Sequence, residues 1–172
     1  MNETLKLLAE RRSIRAYQKE QITDAELEAI LEAGIWAPSA KGQQSAIVVA
    51  VQDPETVAQL SRLNAQVMGA QNDPFYGAPC VIVVLGDPEN YPVVENGSLV
   101  LGNLMNAAHA VGLGSCWIHR AKQMFETEEG KALLRKWGLK DTLVGIGNCI
   151  LGYPAETPEA RPRLDGRIVK IG

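Results

Sequence analysis

The sequence predicts one domain of the α+β or α/β class, in which helices cover a sheet that contains few hairpins. Apolar segments with helical spacing alternate with short β-branched runs, in the order helix, helix, strand, helix, strand, helix, strand, helix, strand. A length of 172 residues suits one domain, and no repeat, low-complexity segment or linker divides the chain. The predicted helices span about 3–10, 24–37, 54–68, 95–111 and 127–137, and the predicted strands span 46–51, 80–85, 115–118 and 143–151.

Local signals justify the elements of the first half. The segment Thr23-Asp24-Ala25-Glu26 is a capping box that begins the second helix. Pro38 ends this helix, because the residue before a proline avoids the α region. Asp53 and Pro54 begin the third helix as its N-cap and first residue. Residues 69–79 are irregular, and the β-branched run 80–85 that follows is too short for a helix.

The second half contains the most apolar helix of the chain. Apolar residues cover every face of residues 95–111, which is typical of a helix buried at the centre of a fold or in a dimer interface. His109 lies on this helix and is expected to be a hydrogen-bonded core residue. The helix over 127–137 begins with acidic and ends with basic residues, and Gly138 terminates it.

The last twenty residues are predicted to be extended. Prolines at 154, 158 and 162 exclude a helix, although residues 167–171 could pair as an edge strand. A segment this short cannot form a core of its own, so it must lie on another surface. A second subunit would provide one.

Composition and charge exclude several function classes. A net charge of −3 and an aromatic content of 5% argue against nucleic-acid and membrane partners. Cys80, Cys116 and Cys149 form no CxxC pair and lie in apolar runs, so we expect buried free thiols in a reducing cytoplasm. The charged first ten residues do not resemble a signal peptide, which also favours a cytoplasmic protein.

Motifs for nucleotide, hydrolytic and metal chemistry are incomplete. The segments that begin at Gly112 and Gly145 start as GxG, but neither has the third glycine of a dinucleotide fingerprint. Two histidines and no paired carboxylates predict no metal site. Cys116 and His119 are three apart on a strand and should face opposite sides. A chain so poor in acid–base groups is typical of an enzyme whose cofactor supplies the chemistry.

Arginines near both ends of the chain suggest a phosphate site. The segment Arg11-Arg12-Ser13-Ile14-Arg15 has three guanidinium groups beside a hydroxyl, and Arg161 and Arg163 lie in the extended tail. Guanidinium groups bind phosphate oxygens in a bidentate manner. If the backbone were helical, Arg11 and Arg15 would share a face at i,i+4. A solvated surface cluster is the alternative interpretation.

Together with other motifs, these arginines resemble the FMN-dependent nitroreductase family over nearly the whole chain. The resemblance rests on residues 11–15, Ala37-Pro38-Ser39-Ala40 with Gln44, Gly112-Leu113-Gly114-Ser115-Cys116-Trp117-Ile118, Gly152-Tyr153-Pro154 and Arg161-Pro162-Arg163. It implies an α+β fold with a central, mainly antiparallel sheet flanked by helices. It also implies an intertwined homodimer that binds two FMN molecules across its interface, with the tail from residue 153 onward embracing the partner.

The resemblance also implies roles for individual residues. Arg11, Arg12, Ser13 and Arg15 would hold the phosphate and ribityl chain of FMN, and Arg161 and Arg163 would close the phosphate site. Backbone amides of His119 and Arg120 would approach the reactive edge of the flavin. The residues that would line the flavin from the partner subunit are Pro38, Ser39, Ala40, Gln43 and Gln44.

The implied activity is transfer of hydride from NADH or NADPH to a small electrophile such as a nitroaromatic or a quinone. Arg120 stands where smaller or acidic residues are common in the family, so it is a candidate contact for an anionic substrate; for its role, tuning of the flavin potential and simple exposure to solvent are the alternatives. Two alternatives stay open. One is a non-catalytic protein that sequesters FMN, and the other is an enzyme of this fold that modifies or fragments its flavin or a peptide-bound ring.

Overall fold

The computed structural model describes residues 2–172, which form one antiparallel sheet covered by helices on both faces. The helices are α1 (Glu3–Glu10), α2 (Asp24–Ile35), α3 (Pro54–Met68), α4 (Val93–Ala110), α5 (Ala121–Glu126) and α6 (Glu128–Lys136), with a 3₁₀ turn at Ala40–Gly42. The strands are β1 (Ala46–Val51), β2 (Cys80–Gly86), β3 (Gly114–Ile118) and β4 (Val144–Gly152). The predicted α+β class and antiparallel sheet are confirmed.

Strand order determines which segments can meet. The sheet has the order β1-β2-β4-β3, and all three pairings are antiparallel. The strands β1 and β3 are therefore the two edges, separated by three strand spacings of ~4.8 Å, or roughly 14 Å. Each connection between successive strands contains a helix, which explains the lack of hairpins in the sequence.

The central strand β2 separates two cores. All its residues are buried, and successive side chains point to opposite faces of the sheet. Val81, Val83 and Leu85 contribute to the core beneath α3, α5 and α6. Ile82 and Val84 contribute to the core beneath α2 and α4. Continuous burial on both faces is the reason that this strand is a continuous apolar run in the sequence.

Local signals located the helix ends well. The side chain of Thr23 accepts a hydrogen bond from the Glu26 amide and the Glu26 carboxylate accepts one from the Thr23 amide, so the capping box is present. Asp53 caps α3 with Pro54 as the first helical residue, as predicted.

The short helix α5 was missed, because the sequence prediction placed only a loop between β3 and residue 127. Six residues are too few for a recognisable apolar period.

The structure bears on two further expectations. Helix α4 is buried on one side only within this chain, since Leu99 is 47% and Val94 is 53% exposed, so it is not the central helix of the fold, and its burial in a dimer interface stays a prediction. Residues 167–171 form no strand within this chain, and every residue of the tail from 159 onward is exposed. No helix among residues 2–172 is long and apolar enough to cross a membrane.

Candidate functional site

The arginine-rich segment is extended and lies against the edge strand β3. Helix α1 ends at Glu10, Ser13 forms a parallel bridge with Ser115, and the Ile14 amide donates to the Ser115 carbonyl at 3.0 Å. The i,i+4 relation considered for Arg11 and Arg15 therefore does not occur. Alternate side chains share a face in extended backbone, so Arg11, Ser13 and Arg15 project from the side opposite the buried Ile14.

Three buried polar groups at this segment have no partner. The Nη1 atom of Arg11, the Nε atom of Arg12 and the Oγ atom of Ser115 are buried and find no hydrogen-bond partner among residues 2–172. Buried donors without acceptors cost stability, and native proteins rarely keep them unless a ligand or water satisfies them. The site therefore suits a ligand rich in oxygen acceptors. The phosphate of FMN has this chemistry, so these residues fit the cofactor that the sequence motifs imply.

The thiol of Cys116 lies beside the same guanidinium groups. Burial raises its pKa, while the positive charges of Arg15 and Arg11 act in the opposite direction. Both guanidinium groups thus lie near the start of β3, where the negative charge of Glu156 is also close enough to raise this pKa. Burial also raises the pKa of Cys80 to about 12. All three thiols are buried and free, as predicted.

Arg12 has a local structural role. Its Nη1 atom donates to the carbonyls of Ala9 and Arg11, each at 2.8 Å. These contacts cap the carboxyl end of α1, where carbonyl groups lack helical partners. One nitrogen of the Arg12 guanidinium is therefore engaged within the chain, while its buried Nε atom has no partner among residues 2–172.

The beginning of the tail covers this site, whereas its arginines do not reach it. The Gln18 amide donates to Tyr153, the Ala155 amide donates to Ala16, and the Arg15 amide donates to the Glu156 carboxylate. Arg163 donates to the carbonyl of Arg161, at 2.8 Å from Nη2. Among residues 2–172, no hydrogen bond or ion pair joins Arg161 or Arg163 to the segment 11–15.

The predicted partner-facing residues lie at the other edge of the sheet. Pro38, Ser39 and Gln44 line a cavity of about 600 Å³ at the start of β1. Buried Asn96 accepts from the Ala40 amide at 2.9 Å, and Ser39 Oγ accepts from the Gln44 amide at 2.9 Å. Gln43 follows the same 3₁₀ turn. These contacts hold the turn in shape, although sequence reasoning did not identify Asn96.

His119 and Arg120 form a turn at the end of β3. Arg120 has a φ of 77°, in the left-handed region that residues other than glycine rarely adopt. Fully buried Asn64 on α3 donates to the His119 carbonyl at 2.8 Å and holds the turn in place. The imidazole of His119 contacts the exposed ring of Trp117, whereas Cys116 is buried in the core under α3. The predicted separation of Cys116 and His119 is therefore confirmed.

His109 differs from its prediction. It is half-buried, its side chain makes no hydrogen bond with residues 2–172, and it lines a cavity of about 330 Å³ with Arg12, Ser115 and Glu156. The carboxyl end of α4, which carries His109, faces this cavity, and helical periodicity alone could not reveal that position.

A larger cavity of about 650 Å³ lies between α3 and residues 71–79, and none of the predicted site residues lines it.

Comparisons with known proteins find similar chains over almost the whole length of this one. A relative from Archaeoglobus fulgidus, provisionally named NADH dehydrogenase/NAD(P)H nitroreductase, is 35% identical over 91% of this chain and 88% of its own. An FMN-bound nitroreductase from Bacteroides fragilis superimposes with a TM-score of 0.92 at 26% identity, with both chains fully covered. An FMN-bound nitroreductase from Desulfitobacterium hafniense gives 0.90 at 27%, again over both whole chains.

The family model described as Nitroreductase family matches residues 8–153, which include the arginine-rich segment, the complete sheet and the His119–Arg120 turn. The resemblance seen in the sequence motifs is thereby confirmed, and the chain belongs to the nitroreductase family.

Proposed function

We propose that the protein is an FMN-dependent oxidoreductase that uses NADH or NADPH to reduce a small electrophilic acceptor, such as a nitroaromatic or a quinone. The observation that carries the proposal is the unpartnered pair of donors on Arg11 and Ser115, beside Ser13 and Arg15. Family membership and two FMN-bound structural neighbours support FMN as the ligand.

The residues of the chain bind and orient in this scheme. Arg11, Ser13 and Arg15 hold the phosphate through charge-assisted hydrogen bonds. When bound, FMN supplies the redox chemistry, and the protein supplies position and electrostatics. The backbone at His119 and Arg120, held by Asn64, presents amides to the ring edge where negative charge develops. No acid–base pair is needed, which agrees with the composition of the chain.

The second part of the proposal is a homodimer in which the partner completes each site. The turn Ala40–Gly42 lies beside β1 at one edge of the sheet, and Ser13 lies beyond β3 at the other edge, four strand spacings or roughly 19 Å away across the sheet. Residues at both edges can line one flavin if the turn comes from a second copy. Exposed apolar side chains favour such an interface. They include Trp36, Val94 and Leu99, together with Leu164, Ile168, Val169 and Ile171 of the tail.

Removal of residues 159–172 tests this assembly. We expect the truncated protein to be monomeric in sedimentation analysis, and to bind FMN at least about 100-fold more weakly, because each site would lose Arg161 and Arg163 from the tail of the other copy together with the apolar tail contacts. The variant Arg135→Ala removes a surface ion pair with Asp141 and should leave both properties unchanged. A truncated dimer with undiminished FMN affinity would refute the role of the tail.

Anaerobic mixing distinguishes an enzyme from an FMN carrier. We expect NADH or NADPH to bleach the visible flavin band of the FMN-loaded protein, and a quinone or nitroaromatic to restore it. In the carrier alternative, the exposed cation of Arg120 would crowd the proposed hydride-transfer face. Free FMN mixed with the same donor is the control for non-enzymatic reduction. A flavin band that persists with both donors would exclude the oxidoreductase and favour the carrier.

A further inference from the structure

We propose that Arg120, together with Trp117 and His119, selects electron acceptors that carry a negative charge on an aromatic ring. This inference rests on the proposed function and concerns the acceptor at the same site. Three observations carry it, namely an unpaired cation, an exposed aromatic pair beside it in the sequence and a buried anchor that fixes their backbone.

The first observation is that the charge of Arg120 is not neutralised. Arg120 is exposed and makes no ion pair or side-chain hydrogen bond with residues 2–172. Lys122, two residues later, pairs with Glu126 at 3.9 Å. Arg120 therefore has its full donor fork available for a carboxylate, and a guanidinium binds a carboxylate in a bidentate manner.

The second observation is the aromatic pair. Trp117 is 48% exposed, although its neighbours Cys116 and Ile118 are buried. The rings of Trp117 and His119 meet edge to face, with centroids 5.4 Å apart and planes at 62°. An exposed indole stabilised in this way offers a surface for a planar ring. In the proposal, a flat aromatic acid lies on this surface and directs its carboxylate to the free cation of Arg120.

The third observation is the anchor beneath the turn. Asn64 is fully buried and donates to the His119 carbonyl, so the backbone of residues 119–120 is tied to α3. A left-handed conformation costs a residue other than glycine roughly 1–2 kcal/mol, and such strain persists only where its surroundings enforce it. The anchor thus fixes the backbone from which the guanidinium extends, which lowers the entropy lost when a substrate binds.

Two acceptors of similar shape test the inference by their charge. Para-nitrobenzoate and para-nitrobenzyl alcohol share a nitroaromatic ring and differ in the carboxylate. We expect Arg120→Gln to lower kcat/KM for para-nitrobenzoate about 10-fold. The same substitution should lower kcat/KM for para-nitrobenzyl alcohol by less than about 2-fold. Arg120→Lys should retain much of the preference. Lys122→Gln removes a nearby positive charge and should leave the ratio unchanged, and raised ionic strength should reduce the ratio in the wild type.

A binding measurement separates this inference from the proposed function. Benzoate, which has no nitro group to reduce, should bind the FMN-loaded wild type in calorimetry and bind Arg120→Gln about 10-fold more weakly. This result is independent of turnover, so it would stand even if NADH and NADPH failed to bleach the flavin. Equal benzoate affinity in both proteins would overturn the inference. Equal loss of activity with both acceptors, or a change confined to the affinity for NADPH, would overturn it as well.

Discussion

The double variant Arg11→Ala, Arg15→Ala is expected to lose nearly all affinity for FMN. Each guanidinium would make a charge-assisted contact to the phosphate, worth about 1.5–3 kcal/mol. Loss of both contacts removes about 3–6 kcal/mol, which corresponds to an increase of roughly 10² to 10⁴ in the dissociation constant. Quenching of flavin fluorescence during titration into the FMN-free protein measures this constant directly.

The same variant should affect protein stability in the opposite direction to ligand affinity. In the FMN-free protein, Arg11 has a buried Nη1 atom without a partner among residues 2–172, so its removal eliminates an unsatisfied donor. We expect the FMN-free variant to melt at or above the wild-type temperature, whereas FMN should raise the melting temperature of the wild type only. Wild-type affinity for FMN in the variant would contradict the proposed phosphate site.

Gly145→Ala should strongly destabilise the fold. A methyl group at this position of β4 would lie 2.3 Å from the carbonyl oxygen and 2.4 Å from the carbonyl carbon of Ala121. These are backbone atoms at the start of α5, so relief of the clash requires α5 to move away from the sheet. We expect a loss of about 3 kcal/mol in the free energy of unfolding, since overpacking against immobile atoms costs at the upper end of its usual range. Urea denaturation at fixed protein concentration measures this loss.

Gly34→Ala is the matched control for this prediction. Its added methyl group would lie 2.4 Å from Cδ2 of Leu104, a contact as short as that at Gly145 but with the end of a side chain. The three atoms nearest the added methyl group all belong to the Leu104 side chain, so relief of the contact requires no backbone shift, and alanine in α2 gains about 1 kcal/mol of helix propensity over glycine. The net effect should stay within about 1 kcal/mol of the wild type. If both variants unfold at the same urea concentration, the close approach of β4 and α5 does not limit stability.

Site prediction depended on the kind of interaction that each residue makes. Arg11, Ser13 and Arg15 were selected because guanidinium groups beside a hydroxyl suit a phosphate, and their roles toward FMN follow from the family resemblance and stay predictions. Asn64 and Asn96 were not identifiable. Each is a lone amide on a helix, and only the folded chain brings it to the His119 carbonyl or the Ala40 amide. The capping role of Arg12 was also missed, because it depends on where α1 ends.

The sequence alone determined the local features of this protein: the capping box at Thr23, the proline at the start of α3, the buried run of β2 and the set of motifs that indicate the family. These signals act over a few residues, where sterics and backbone hydrogen bonding decide the conformation. Only the tertiary structure decided the strand order, which puts Ser13 and residues 38–44 at opposite edges of the sheet. Likewise, only the folded chain decided which face of α4 is left exposed. The strand order and the exposed face of α4 both depend on contacts between residues far apart in the sequence, and no local sequence pattern specifies which residues make those contacts.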